Sequence, residues 1–261
     1  MNLVHRFSFI FFFFLFANVK SAVYGQQGDT KEKQKDLLSS LNWKKWSPGP
    51  VPLFTPQESL SKFKLAPGFR IELVAHEPMV KDPVFMDWDD EGRMWVGELR
   101  TYMMDLDGTG EDRRMSRVMV LEDKDQDGVM DKATPFLEDM LNVRSLAFVD
   151  GGVLVVETGG LWFCQDKDGD LRCDERKKLF DFATSAKDNI EHAENALHYA
   201  LDNWMYNSKS SRKLAWRKGK LIEMPAKARG QWGMGSDAYG RLFFNHNGQW
   251  FETDWAMYDR Q

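Results

Sequence analysis

From Phe69 onward the chain repeats one pattern, a polar turn followed by a short apolar run of strand length. It reads DDEGRMWVGE (Asp89–Glu98), VDGGVLVVE (Val149–Glu157), LDNWMYNS (Leu201–Ser208) and DAYGRLFFNH (Asp237–His246). Asp, Gly and Asn turns ahead of β-branched and aromatic residues are hairpin chemistry. Setting Trp95, Leu154, Met205 and Phe243 level gives spacings of 59, 51 and 38 residues. Repeats of about 40–50 residues, each with about four strands, have the period of a β-propeller. One blade cannot bury both of its faces, so neighbouring blades must stack. The pattern predicts an all-β chain, a partial β-propeller of about four blade-like units over residues 69–261.

The stretch before it follows other rules. Phe7–Val19 (FSFIFFFFLFANV) is almost wholly apolar, follows Arg6, and is short for a bilayer span. Small side chains follow at VYG (Val23–Gly25). This predicts a signal peptide over residues 1–25 and a periplasmic or secreted protein, with an uncleaved membrane anchor as the alternative. Gln26–Lys35 is polar and predicts disorder. SPGPVPLFTP (Ser47–Pro56) is an extended, proline-rich lead-in. Thr55, Pro56 and Glu58 then form a helix N-terminus signature. It predicts a short helix over Pro56–Phe63, ended by APG (Ala66–Gly68). Residues 26–68 are thus read as linker, lead-in and helix.

Composition narrows the function. A hydrophobic share of 43% and ten tryptophans suit a folded core. The net charge of -5 becomes -7 without residues 1–25, which hold Arg6 and Lys20 and no acids. An acidic chain with no basic cluster argues against nucleic acid. Cys164 and Cys173 are the two cysteines, and no CxxCH haem motif occurs. In an exported protein they predict a disulfide, with two free thiols as the alternative.

Two acidic stretches recur 43 residues apart, EDKDQDGVMDK from Glu122 and QDKDGDLRCDE from Gln165. Each lies between a strand and a further hydrophobic piece, as an inter-strand loop of a repeating blade. Alternate carboxylates on a tight loop are hard oxygen ligands that suit Ca²⁺. Asp123, Asp125, Asp127 and Asp131 are the candidate ligands, with the Val129 carbonyl and the turn at Gly128. Thr134 stands where an EF-hand has Glu, and no helices flank the loop, so it is not an EF-hand. The second loop (Asp166, Asp168, Asp170, Asp174) has Leu171 in place of the glycine and is expected to be the weaker site. A solvated acidic turn is the alternative for both.

Several phrases resemble a known family. TPQESLSKFKLAPGFRIELVAHEP, VLEDKDQDGVMDKATPF, ALDNWMYN and GQWGMGSDAYGRLFFN are similar to stretches of the membrane-bound dehydrogenases. Their N-terminal domain is a propeller of the quinoprotein glucose dehydrogenase type. The resemblance runs through most of residues 55–261. It implies a six-bladed type, with about four blades in this sequence, either a fragment or a shortened paralogue. It also implies pyrroloquinoline quinone (PQQ) as cofactor, a sugar or alcohol as substrate, and a c-type cytochrome as electron acceptor. The family's catalytic phrase H-x-x-G-x-L-x-x-G-x-D-G-x-L-Y is followed by HAENALHYALDNWMY through His192, Leu197, Asp202 and Tyr206. Asn195 and Asn203 stand in place of glycines. The arginine phrase R-N-x-Q-G-L is met by RGQWGM at Arg229, with Gly230 and Trp232 departing from it. The resemblance therefore casts His192 as the general base and Arg229 as the group that stabilises the reduced quinone.

Position alone adds Arg144 (NVRS) and Arg100 (GELR) as candidate cofactor-binding residues. Both sit at strand ends, where loops on one propeller face converge. His198 lies in a strand-like run and is read as structural; His76 and His246 are read as loop or turn residues. Two rivals stand beside sugar or alcohol oxidation. One is a non-catalytic carbohydrate- or protein-binding propeller with structural calcium. The other is a calcium-dependent lactonase-like hydrolase.

Overall fold

A computed structural model describes residues 52–105, 107–182, 192–246, 248 and 251–254. The expected signal peptide lies outside the described residues. The unit that carries the fold begins at Thr55. It opens with helix α1, Pro56–Lys62. Thr55 Oγ1 accepts from the Glu58 N–H at 3.2 Å, and Glu58 Oε2 accepts from the Thr55 N–H at 2.8 Å. This reciprocal box, with Pro56 in the first turn, fixes the start of the helix. The helix buries no residue, so its caps rather than its packing hold it.

Four antiparallel sheets follow, each a meander in chain order. Blade 1 is β1 (Pro83–Trp88), β2 (Met94–Glu98), β3 (Ser116–Glu122) and β4 (Lys132–Met140). Blade 2 is β5 (Val143–Val149), β6 (Gly152–Glu157), β7 (Gly160–Gln165) and β8 (Glu175–Asp181). Blade 3 is β9 (Asn195–Tyr199), β10 (Met205–Ser208), β11 (Arg212–Arg217) and β12 (Lys220–Pro225). Blade 4 has three strands among the described residues, β13 (Gly235–Ser236), β14 (Leu242–Phe244) and β15 (Glu252–Thr253). The protein is an all-β, four-blade propeller arrangement. Trp95, Leu154, Met205 and Phe243 all fall in the second strand of a blade, so the sequence repeat is the blade repeat.

The turns between first and second strands follow from local chemistry. Asp89 accepts from the backbone N–H groups of Glu91 (3.0 Å) and Arg93 (2.9 Å), and from Arg93 Nε (2.6 Å). Asp237 does the same with Tyr239 (3.0 Å), Arg241 (3.0 Å) and Arg241 Nε (2.6 Å). Gly92 and Gly240, with φ of +77° and +78°, supply the left-handed residue each turn requires.

Neighbouring blades stack through apolar side chains. At the first junction Trp95, Val118, Val120 and Phe136 meet Val143, Leu146 and Val155. Trp95 packs edge-on to Phe136 and Phe148, with ring centroids 4.6 and 5.4 Å away. At the second, Leu154, Val156 and Leu161 meet Leu197, Met205 and Leu214, and Phe163 stacks on Trp216 at 4.6 Å. Each fully buried side chain of this kind contributes about 1.5–3 kcal/mol. The third junction is thinner, with Ala200, Tyr206 and Leu242 at its centre.

The far face of blade 1 is covered from upstream. Val74, Ala75 and Met79 pack on Met94, Val96, Met119 and Met130. The Met130 N–H donates to the Val74 carbonyl at 2.9 Å. One blade on, at the equivalent position, the Cys173 N–H donates to the Phe136 carbonyl of β4 at 2.8 Å. Val74 thus takes the place against blade 1 that the outermost strand of a preceding blade takes against blade 2.

Candidate functional site

The first strands of neighbouring blades lie side by side, β1 next to β5 and β5 next to β9. Pro83 pairs with Glu98, Val143 with Glu157 and Asn195 with Ser208, so all three first strands start at the same, upper end of their blades. That end is built on buried polar groups. Glu98 Oε1 accepts from the Lys81 N–H at 2.8 Å. Glu157 Oε2 accepts from the Leu141 N–H at 2.8 Å. Each donor stands two residues before the first strand of its blade, so each carboxylate pins the chain as it enters. Glu157 also accepts from Trp162 Nε1 (2.8 Å) and Arg114 Nη2 (2.9 Å).

Blade 3 does the same work with neutral side chains. Ser208 Oγ donates to the Gly233 carbonyl at 2.8 Å. Asn195 Nδ2 donates to the Ala193 and Gln231 carbonyls at 3.0 and 2.9 Å, and Asn195 Oδ1 accepts from the Gly233 N–H at 2.8 Å. These bonds hold the segment that carries Trp232. The buried Arg144 guanidinium stands over the Trp232 ring, 5.4 Å from its centroid, and Arg144 Nε donates to Thr158 Oγ1 at 3.4 Å.

Beside them is a cavity of about 400 Å³, within the usual range of small-molecule sites. Its walls are the first strands β1, β5 and β9 and the Trp232–Met234 segment. The polar side chains among its walls include Asp87, Arg144, Ser145 and His198, set among Phe85, Met86 and Phe148. His198 is half-buried, and its Nε2 is enclosed with no hydrogen-bond partner among the described residues. Burial holds the His198 imidazole below its usual value, with the charge of Asp87 opposing that shift.

The acidic loops lie elsewhere. Glu122 pairs with Lys132 and Gln165 with Glu175, at the end of the blades opposite to Glu98 and Glu157. Asp123 accepts from the N–H groups of Gln126 (2.7 Å) and Gly128 (2.9 Å), and Asp131 from that of Lys124 (2.7 Å). Asp166 accepts from Gly169 (2.7 Å) and Leu171 (2.8 Å), and Asp174 from Lys167 (2.7 Å). In each loop three carboxylates gather within 4.8 Å of one another: Asp123, Asp125 and Asp131, then Asp166, Asp168 and Asp174. Asp127 is outside the first group, and its carboxylate accepts from the Val129 N–H at 2.8 Å. Leu171 adopts φ of +66°, the left-handed conformation of Gly128 at +92°. Burial of Leu171 against the first blade junction offsets the roughly 1–2 kcal/mol that this conformation costs. The second loop therefore keeps the geometry of the first without the glycine.

Comparison with protein families matches residues 55–261 to a domain of unknown function, DUF7133. The chain belongs to this family. Among solved structures, a streptogramin B lyase gives a TM-score of 0.39 at 11% identity, covering 68% of this chain and 56% of that one. The holo PQQ domain of pyranose dehydrogenase from Coprinopsis cinerea gives 0.39 at 10% identity, covering 66% and 46%. The chain thus spans about half the length of each. At that similarity neither neighbour informs the chemistry, and the blade assignment rests on the sheets themselves. No curated protein matches.

In the DUF7133 domain the candidate residues separate. Arg144 lines the cavity; His192, Arg229 and Arg100 are not among its walls. His192 is half-buried, three residues before β9. Arg229 is ion-paired with Asp254, donates to the Lys227 carbonyl at 2.8 Å, and stands 4.8 Å over the Tyr206 ring. Arg100 faces Glu98 at 3.7 Å. Among the described residues His198, rather than His192, is the histidine that lines the cavity. Asp87 and Trp232 were not singled out as wall residues by the sequence. The expected disulfide is also corrected: Cys164, buried, and Cys173, half-buried, are free thiols. They share a hydrogen bond.

Proposed function

We propose that this DUF7133 domain is a ligand-binding propeller whose cavity takes a small, neutral, polyhydroxylated molecule of the carbohydrate class. The observation that carries the reading is the wall beside Trp232: an indole ring backed by the Arg144 guanidinium, with Asp87, Ser145 and His198 spaced among apolar residues. A sugar presents an apolar C–H face to a ring and hydroxyls to charged and polar groups. Arg144 and Asp87 offset one another in charge, so an uncharged ligand suits the cavity better than an anion.

The same donor set bears on quinone-dependent oxidation. PQQ carries three carboxylates, whereas the cavity wall offers one guanidinium, that of Arg144, with Asp87 also present. Arg229 already has the Asp254 carboxylate as its partner. These residues do not fit that cofactor, and no chemical step is assigned through it. Calcium at the acidic loops would be structural, because they lie at the end of the blades opposite to Arg144. A calcium-dependent hydrolase would need a metal at the cavity, whereas among the described residues the carboxylate clusters lie at the opposite end of the blades.

The test is a titration of the purified protein with neutral mono- and disaccharides and, separately, with PQQ, read by tryptophan fluorescence and calorimetry. Saturable binding of a saccharide that is lost in Trp232→Ala and weakened in Arg144→Met supports the reading. Stoichiometric PQQ binding, or no response to any saccharide, overturns it.

A further inference from the structure

Two ends of the blade stack carry matching halves of the contact that joins the blades. At the first junction one half is Trp95, on the second strand of blade 1, and the other is Leu146 and Phe148, on the first strand of blade 2. Phe148 meets Trp95 edge-on at 5.4 Å, and Leu146 is 5% exposed. Blade 1 repeats the receiving half. Met86 pairs with Val96 and Trp88 with Met94, as Leu146 pairs with Val155 and Phe148 with Val153. Met86 and Trp88 are thus the equivalents of Leu146 and Phe148, but they are 64% and 46% exposed. Val74, Ala75 and Met79 cover the outer part of this face and leave these two side chains open to solvent.

Blade 4 repeats the inserting half. Asp237–Phe243 (DAYGRLF) aligns without a gap on Asp89–Trp95 (DDEGRMW), and the two turns share the same aspartate bonds and left-handed glycine. Phe243 therefore holds the place of Trp95. It is half-buried and stacks on Phe251, which is 71% exposed, with ring centroids 5.2 Å apart. Both rings border a groove of about 420 Å³, together with Trp232 and Met234. The outer layer matches as well. Among the described residues blade 4 has a first, second and third strand, with its fourth place open. Val74 stands against blade 1 where the fourth strand of a preceding blade belongs.

We propose that the chain pairs head to tail with a second copy of itself, blade 4 of each copy packing on blade 1 of the other. Phe243 and Phe251 of one copy cover Met86 and Trp88 of the other, as Trp95 covers Leu146 and Phe148 within a chain. The Val74 segment of the other copy then occupies the fourth place of blade 4. The occupant is a second copy because this chain itself carries both halves, in the register that its own junctions use. Contacts between two unlike faces build rings when the rotation closes and filaments when it does not. Two chains of four blades close a ring of eight, the upper end of the usual range of about 4–8 blades. Burying the exposed rings removes apolar surface from water, the same force that seals the internal junctions.

The experiment measures the mass of the full chain by light scattering and sedimentation velocity over a range of concentrations. Wild type should rise to twice the chain mass. Trp88→Lys and Phe243→Glu should each stay at the chain mass, with circular dichroism confirming that both fold. Mixed one to one, the two variants should regain the doubled mass, because one contact is then native and the other sets Lys against Glu. If either variant unfolds, hydrogen exchange of the wild type supplies the test: β1 and β14 should gain protection as concentration rises. A wild type that stays at the chain mass with unchanged exchange overturns the proposal. So does a folded variant that still doubles on its own, since the contact would then lie between like faces or elsewhere. An open-ended series of larger species overturns the closed pair.

Discussion

Glu157 concentrates more hydrogen bonds than its size suggests, and removing it has a calculable cost. The residue is 3% exposed and accepts from the Leu141 N–H, Trp162 Nε1 and Arg114 Nη2. In Glu157→Ala the first two donors, both half-buried, lose their acceptor, at up to about 1–3 kcal/mol each. The Arg114 side chain is 43% exposed and turns to water, so its loss adds little. The sum is about 2–6 kcal/mol, which for a domain of this size lowers Tm by on the order of 10 °C. Glu98 gives an internal control. It holds the same place in blade 1 but accepts at hydrogen-bond distance from the Lys81 N–H, with Arg100 farther away at 3.7 Å. Glu98→Ala should therefore cost about 1–3 kcal/mol. Thermal unfolding followed by circular dichroism gives the two values, and Trp162 emission reports the local change. Equal losses in the two variants, or a Glu157→Ala change within about 0.5 kcal/mol of wild type, would refute the reasoning from donor count.

Two further outcomes are expected. Burial pushes the Asp89 carboxyl up, but hydrogen bonds from Trp95 and Arg93 outweigh it and hold the group below its usual range. Its stabilisation is present above the unfolded value of about 3.9 and is lost as pH falls through the lower folded value. Asp89→Asn should flatten the acid limb of the stability curve, and an unaltered limb counts against this. Calcium should raise Tm through both acidic loops; Asp125→Ala and Asp168→Ala should each remove part of the rise. A melting curve indifferent to chelator would leave the loops as acidic turns.

What was legible in the sequence is what the chain settles locally. The Thr55–Glu58 box, the D-x-x-G-R turns at Asp89 and Asp237, and the second strands marked by Trp95, Leu154, Met205 and Phe243 each lie within a few residues. The cavity was not legible, because its walls come from three blades and the Trp232–Met234 segment, and no local pattern joins Asp87, His198 and Trp232. His198 stood in a strand pattern, and that placement was right; what its side chain meets is decided by β1, far upstream. Leu171 shows the converse failure. Its local preference disfavours a left-handed residue, but burial against a neighbouring blade decides the conformation.

The uneven junctions between blades set an order of events. A stack in which each unit touches only its neighbours behaves as a one-dimensional lattice, opening at its weakest bond first. The first two junctions are sealed by broad layers of Trp, Phe, Leu and Val, whereas the third has a core of Ala200, Tyr206 and Leu242. The described amides of blade 4 are therefore expected to exchange with solvent hydrogen before those of Leu154 and Val155, which hydrogen-exchange mass spectrometry would check. The Trp232 segment hangs from blade 3 through Asn195 and Ser208 and leads into blade 4. A ligand that bridged Trp232 and Arg144 would therefore tie the segment that leads into blade 4 to blade 2.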